Sequence, residues 1–227
     1  MTRLAHLAAA GLLGLTVSAQ AAAPERLRGT IEAVEPGALT LKTQDGKTER
    51  VALADDTKVA WVVRSSLDQI KDGTFIGTAT KGDNPPTALE VVLFPEAMRG
   101  TGEGHYPWDE ITDTTADGGA KVKSAMTNGT VKADPASAPR VRSSMTNGTV
   151  KAGSAGEAGG RTLTVTYGTD GAKTILVPPT APVVTFEPAD RAALSAGAKA
   201  FVIAARDGSG LSARRVAVGK DGLTPPM

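Results

Sequence analysis

An all-β fold of two small tandem modules is predicted by three observations. Apolar and polar residues alternate with a period of two, Asp-Gly pairs punctuate that alternation, and the same strand order returns later in the chain. The first copy opens on Gly29-Thr30-Ile31. Leu39, Leu41 and Thr43 then alternate with Thr40, Lys42 and Gln44, the signature of a strand with one face in a core. Asp45-Gly46 supplies the positive φ of a tight turn, and residues 48–53 return as the partner strand. Residues 58–63 hold a denser run, Val59-Ala60-Trp61-Val62-Val63, as expected of a strand covered on both faces. Ser66 can cap a short helix over residues 67–71, with Gly73 at its end. Residues 74–79 and 88–94 supply two closing strands.

The second copy opens on Gly148-Thr149-Val150 and follows the same order. Leu163, Val165 and Tyr167 share one face, and Thr162, Thr164 and Thr166 the other; Asp170-Gly171 marks the turn. Val183-Val184-Thr185-Phe186 matches the dense strand, Pro188 opens a short helix, and Gly197 closes it. Residues 200–204 and 212–218 finish the set. Three strands, a short helix and two strands is the order of an OB-like barrel, with a plain meander and an SH3-like barrel as alternatives. The predicted organisation is a signal peptide over 1–21, OB-like modules over 26–94 and 143–220, a Gly/Pro-rich linker over 95–142 and a tail over 221–227.

Arg3, an apolar run over residues 7–17 and Ala19-Gln20-Ala21 compose a cleavable export signal, with Ala21-Ala22-Ala23 as a second cleavage site. No other run approaches the ~18 apolar residues of a membrane-spanning helix, so no transmembrane span is expected in the mature chain. Periplasmic or secreted localisation follows, and with no cysteine the modules must hold by packing alone. Lys plus Arg number 25 against 24 Asp plus Glu. That balance argues against nucleic acid as a partner, and Arg214-Arg215 reads as a solvated strand face.

The linker contains its own repeat. Met126-Thr127-Asn128-Gly129-Thr130-Val131 returns as Met145-Thr146-Asn147-Gly148-Thr149-Val150. Only one copy can open the second module. Continuity with the strand at 159–165 points to the later one, leaving 113–142 as a loose or partly paired loop.

The one dense polar and aromatic patch is Arg99, Glu103, His105, Tyr106, Trp108 and Asp109, and these are the candidate binding residues. Glu103, His105 and Asp109 offer oxygen and nitrogen ligands for a divalent metal, although a structural zinc site would need more His or Cys. The stronger reading is that Tyr106, Pro107 and Trp108 form an aromatic plug where the loop crosses between the modules. Gly100, Gly102 and Gly104 lack the strand and helix context of a phosphate loop. No cysteine or G-x-S-x-G nucleophile exists, and Asp55-Asp56 reads as a solvated turn, so no enzyme is expected.

The run from Phe94-Pro95-Glu96-Ala97-Met98-Arg99 to His105-Tyr106-Pro107-Trp108-Asp109, together with Met145-Thr146-Asn147-Gly148-Thr149-Val150 and the tail from Val216 to Met227, resembles an uncharacterised family of exported proteobacterial proteins. Members of that family often carry the label of a metal transporter permease. The label conflicts with a chain that has no apolar span beyond its signal. The resemblance implies a periplasmic accessory role in metal handling at most, and the extra Met-Thr-Asn-Gly-Thr-Val copy departs from the family pattern. The expected function is a binding or interaction module for an envelope protein or cell-envelope component. The alternative is a metal-ion-binding accessory protein.

Overall fold

A computed structural model describes residues 24–115, 119–132 and 160–226. The signal segment and the later copy of the short repeat, at 141–152, lie outside the described residues. Twelve strands form one continuous hydrogen-bonded system among the described residues, with four single 3-10 turns beside them. In the first half these are β1 (Glu25–Glu35), β2 (Ala38–Thr43), β3 (Thr48–Arg64), β4 (Phe75–Lys81), β5 (Thr87–Leu93) and β6 (Gly104–Thr112). In the second they are β7 (Lys121–Lys132), β8 (Arg161–Tyr167), β9 (Gly171–Val177), β10 (Val183–Ala189), β11 (Lys199–Asp207) and β12 (Gly210–Gly219). No helix among the described residues is long and apolar enough to cross a membrane.

The predicted alternation builds the strands. Leu39 and Leu41 are fully buried and Lys42 is exposed; Leu163 and Val165 are buried and Thr162 is exposed. Gly46 turns the β2–β3 hairpin at φ 87°, as the Asp-Gly pair requires. In the second hairpin the positive φ falls on Gly168 at 56°, and Gly171 instead opens β9 against the Tyr167 ring. That corrects the expected Asp170-Gly171 turn.

The halves do not fold as separate modules over 26–94 and 143–220; they exchange strands. One ring runs β1–β2–β3–β12–β11 and closes with β11 antiparallel to β1, Gly29 opposite Ala200. The other runs β7–β8–β9–β5–β4 and closes with β4 antiparallel to β7, Ile76 opposite Gly129. Its β9–β5 seam is narrow: Thr87 stands opposite Leu176, and the Leu176 N–H donates to the Pro86 carbonyl at 2.9 Å. Each ring therefore takes a three-strand meander from one half and a closing pair from the other.

The cause lies in β3 and β10. Residues 48–53 and 58–63 were expected to form two strands, but β3 runs unbroken for 17 residues and carries the chain out of the first ring. β10 does the same for the second half. The two cross antiparallel, with Val62 opposite Phe186, so the strands after each one land in the other's ring. Ile31, Leu41, Val51, Val202 and Val216 fill the first ring, and Ile76, Val91, Val131, Val165 and Ile175 fill the second. Val62, Val92, Val184, Phe186 and Phe201 form a third cluster at the crossing, so burial of roughly 1.5–3 kcal/mol per side chain stabilises the exchange itself.

The earlier copy of the short repeat lies in β7, a regular 12-residue strand where a loose or partly paired loop was expected over 113–142. β6 precedes it as a ready partner, and the Asp113 N–H closes their hairpin on the Ala120 carbonyl at 2.8 Å. Gly29 and Gly129 have the same job. A Cβ at Gly29 would collide with the Lys42 carbonyl, and one at Gly129 with the Thr166 carbonyl. Glycine is what lets the next strand approach that closely.

The two short helices reduce to 3-10 turns, Leu67–Gln69 and Arg191–Ala193. Ile70 and Leu194 are each buried directly after the turn and draw the chain inward before a second turn can form. The Ser66 side chain makes no cap, whereas the Asp190 carboxylate accepts from the Ala192 N–H. Pro188, expected to open a helix, lies within β10 opposite Ala60.

Candidate functional site

β6 crosses the junction of the rings as an edge strand. It pairs with β7 alone, so Pro107, which has no N–H to donate, costs it little. Tyr106 and Trp108 stand two residues apart on one face, with ring centroids 6.0 Å apart and nearly edge-on. The register slips between Pro107 and Glu110. A bulge of this kind re-aims side chains, and here Trp108 and its neighbour Asp109 both meet β1.

Arg26 of β1 holds the two together. Its guanidinium carbon lies 4.0 Å from the Trp108 ring centroid, and its Nη2 donates to Asp109 Oδ1 at 2.7 Å. Arg28 Nη1 donates to Asp109 Oδ2 at 2.8 Å and its guanidinium lies over the Phe201 ring. Burial pushes the Asp109 carboxyl up, but the hydrogen bonds and charges of Arg26 and Arg28 outweigh it and hold the carboxyl below its usual value. Arg28 Nε and Nη2 and the Trp108 indole N–H are buried without a hydrogen-bond acceptor among the described residues.

Beside this cluster lies a cleft of about 430 Å³, within the usual volume of small-molecule sites. Phe94, Tyr106, Trp108, Phe186 and Phe201 supply its aromatic walls, and Arg26, Arg214 and Arg215 its charge. Its residues come from both rings and from β6, so the cleft exists only because the strands are exchanged. The Asn128 amide of β7 donates to the Thr101 and Gly102 carbonyls and pins the Gly-rich segment at one end.

Of the predicted site residues, Tyr106 and Trp108 line this cleft. Arg99 pairs with Glu96 and donates to the Gly73 carbonyl, tying the segment to the second ring. The Glu103 carboxylate accepts from the Gly168 N–H at 3.0 Å. His105 faces Thr127, with Nδ1 2.9 Å from the hydroxyl, and stacks near Tyr167. Burial, then the charge of Lys173, pulls the His105 pKa below its usual value. Glu103, His105 and Asp109 thus have separate partners, and among the described residues no three His, Cys, Asp or Glu side chains gather as a metal-binding group.

Sequence reasoning missed Arg26, Phe186, Phe201 and Arg215. Arg214-Arg215 was read as a solvated face; Arg214 is exposed, but Arg215 is half-buried, and burial pulls its guanidinium below the usual value. A signal was present. Two arginines in succession inside an alternating strand cannot both face water unless the alternation breaks. Comparisons with family models, curated proteins and solved structures found no match to this chain.

Proposed function

We propose that the protein is an exported, non-catalytic binding module of two OB-like barrels that takes its ligand in the cleft at their junction. The OB-like reading is supported by the ring order: a three-strand meander whose third strand runs parallel to the last strand of the set. The observation that carries the functional reading is the cleft itself. It is concave, aromatic-walled and ringed by a few charged groups, the usual make-up of a small-molecule site. Export rests on the segment over residues 1–21. An envelope component is the natural source of the ligand in that compartment.

Native mass spectrometry of the mature protein, purified from a periplasmic extract, tests this reading. The expected result is a non-covalent mass that denaturation releases and that Trp108→Ala depletes. A bare polypeptide mass from the unaltered protein would overturn it.

A further inference from the structure

We propose that the junction cleft selects a small organic anion with an apolar body. Its oxyanion is held by Arg214 and Arg215, and its body lies against Trp108, Phe186 and Phe201. This rests on the binding-cleft reading above and specifies the ligand class.

The first support is geometric. Neighbouring residues of a regular strand point to opposite faces. On β12 the register slips between Ala213 and Arg215 against both flanking strands, β11 and β3. Arg214 is the extra residue of that bulge, and the break leaves both arginines among the lining residues of the cleft, Arg214 exposed and Arg215 half-buried.

The second support is charge. Among the described residues no carboxylate lines the cleft, and Arg26, its third cation, is already neutralised by Asp109. Neither Arg214 nor Arg215 forms an ion pair among the described residues; the one polar contact of Arg215 is to Met98 Sδ at 3.6 Å. A half-buried guanidinium without a counter-ion is costly. An incoming oxyanion removes that cost, and two adjacent guanidinium groups offer it several parallel donors.

The third support is the rest of the wall. Trp108, Phe186 and Phe201 belong to the apolar cluster at the crossing of the rings, so a purely ionic ligand would leave that surface wet. A ligand with both an oxyanion and an apolar body satisfies both halves of the cleft.

The test is calorimetric titration of the full mature protein with four probes: 2-naphthoate, 2-naphthamide, octanoate and octanamide. Each acid and its amide share a body and differ in charge. At least one acid is expected to bind about 10- to 100-fold more tightly than its amide, the range of a charge-assisted hydrogen bond. Arg215→Met should shrink that preference by weakening acid binding more than amide binding, with Arg214 holding what remains. Whether naphthoate or octanoate binds more tightly separates an aryl from an acyl body.

Equal binding of acid and amide would overturn anion selection and leave the cleft as a neutral site. Binding of none of the four would overturn the ligand class, and the native mass spectrum then decides separately whether the cleft binds anything. If Arg215→Met gives no cooperative melt, Arg214→Met is used instead, and the acid-to-amide ratio of the unaltered protein remains decisive.

Discussion

Asp109→Asn removes one charge and keeps the side-chain shape. Asp109 links β1 of the first ring to β6 on the second, through Arg26 at 2.7 Å and Arg28 at 2.8 Å. The side chains retain 28 % exposure for Asp109, 30 % for Arg26 and 16 % for Arg28. Removing one partner of a fully buried pair costs roughly 3–5 kcal/mol, and an exposed pair is worth roughly 1 kcal/mol or less. At about a quarter exposed, with two arginines left facing each other, the expected loss is about 2 kcal/mol at pH 7. For a chain of this length that corresponds to roughly 4–8 °C in Tm. The pH dependence has a definite sign. The folded Asp109 carboxyl lies below its ordinary value of 3.8, so its contribution is complete above that value and is lost as pH falls through the folded one. Chemical denaturation of both proteins across pH 7 to 3 should show a gap that holds to about pH 5 and then narrows. An Asn variant within about 0.5 kcal/mol of the parent at pH 7 would refute the reasoning. So would a gap that persists undiminished into the acid range.

Three further outcomes follow from the same geometry. A fragment covering residues 24–98 lacks the β11–β12 pair that closes its ring, so it should show no cooperative unfolding alone and regain it when co-expressed with residues 99–227; a cooperative melt of the fragment by itself would contradict strand exchange. Deleting residues 133–151 removes the later repeat copy and leaves β7 whole, so cooperative unfolding should survive; in that shortened protein, Gly129→Val should destabilise severely because its side chain meets the Thr166 carbonyl, and a neutral effect would refute the close approach. The His105 ring should titrate below 6.5 by NMR, held down by burial and by Lys173, so the stability it contributes is lost as pH falls through its folded pKa; Lys173→Met should raise the midpoint, and a midpoint above 6.5 would contradict the placement.

Local structure was legible because it depends on neighbours in the chain. The alternation of Leu39 and Leu41, and of Leu163 and Val165, marks strands whose inner residues are indeed buried. The expected start of the second copy, Gly148-Thr149-Val150, lies outside the described residues, and it is Thr130-Val131 of the earlier repeat copy that pairs with β8. The pairing of the strands was not legible. Period-two patterning shows that residues 199–207 form a strand, but not that its partner is β1 rather than β4. That choice follows from the length of β3 and its crossing with β10, a long-range packing outcome with no local signature. β6 was hidden for another reason: Pro107 and three glycines obscured the shared face of Tyr106 and Trp108. The patch from Arg99 to Asp109 is a cluster in sequence. Its side chains nonetheless diverge in space, with Tyr106 and Trp108 toward the cleft, His105 toward Thr127 and Asp109 toward β1. The arginines completing the cleft come from residues about a hundred positions away, beyond the reach of any spacing rule.

The chain has two tryptophans, and they occupy different environments. Trp108 lines the junction cleft, whereas Trp61 packs against the core of the first ring. A ¹⁵N-labelled protein therefore gives two indole N–H signals, which Trp108→Phe assigns. Titration with 2-naphthoate and octanoate should shift the Trp108 signal saturably and leave that of Trp61 in place. A Trp108 signal that stays fixed at saturating probe, or a Trp61 signal that moves in step with it, would contradict a ligand site built by the exchanged strands.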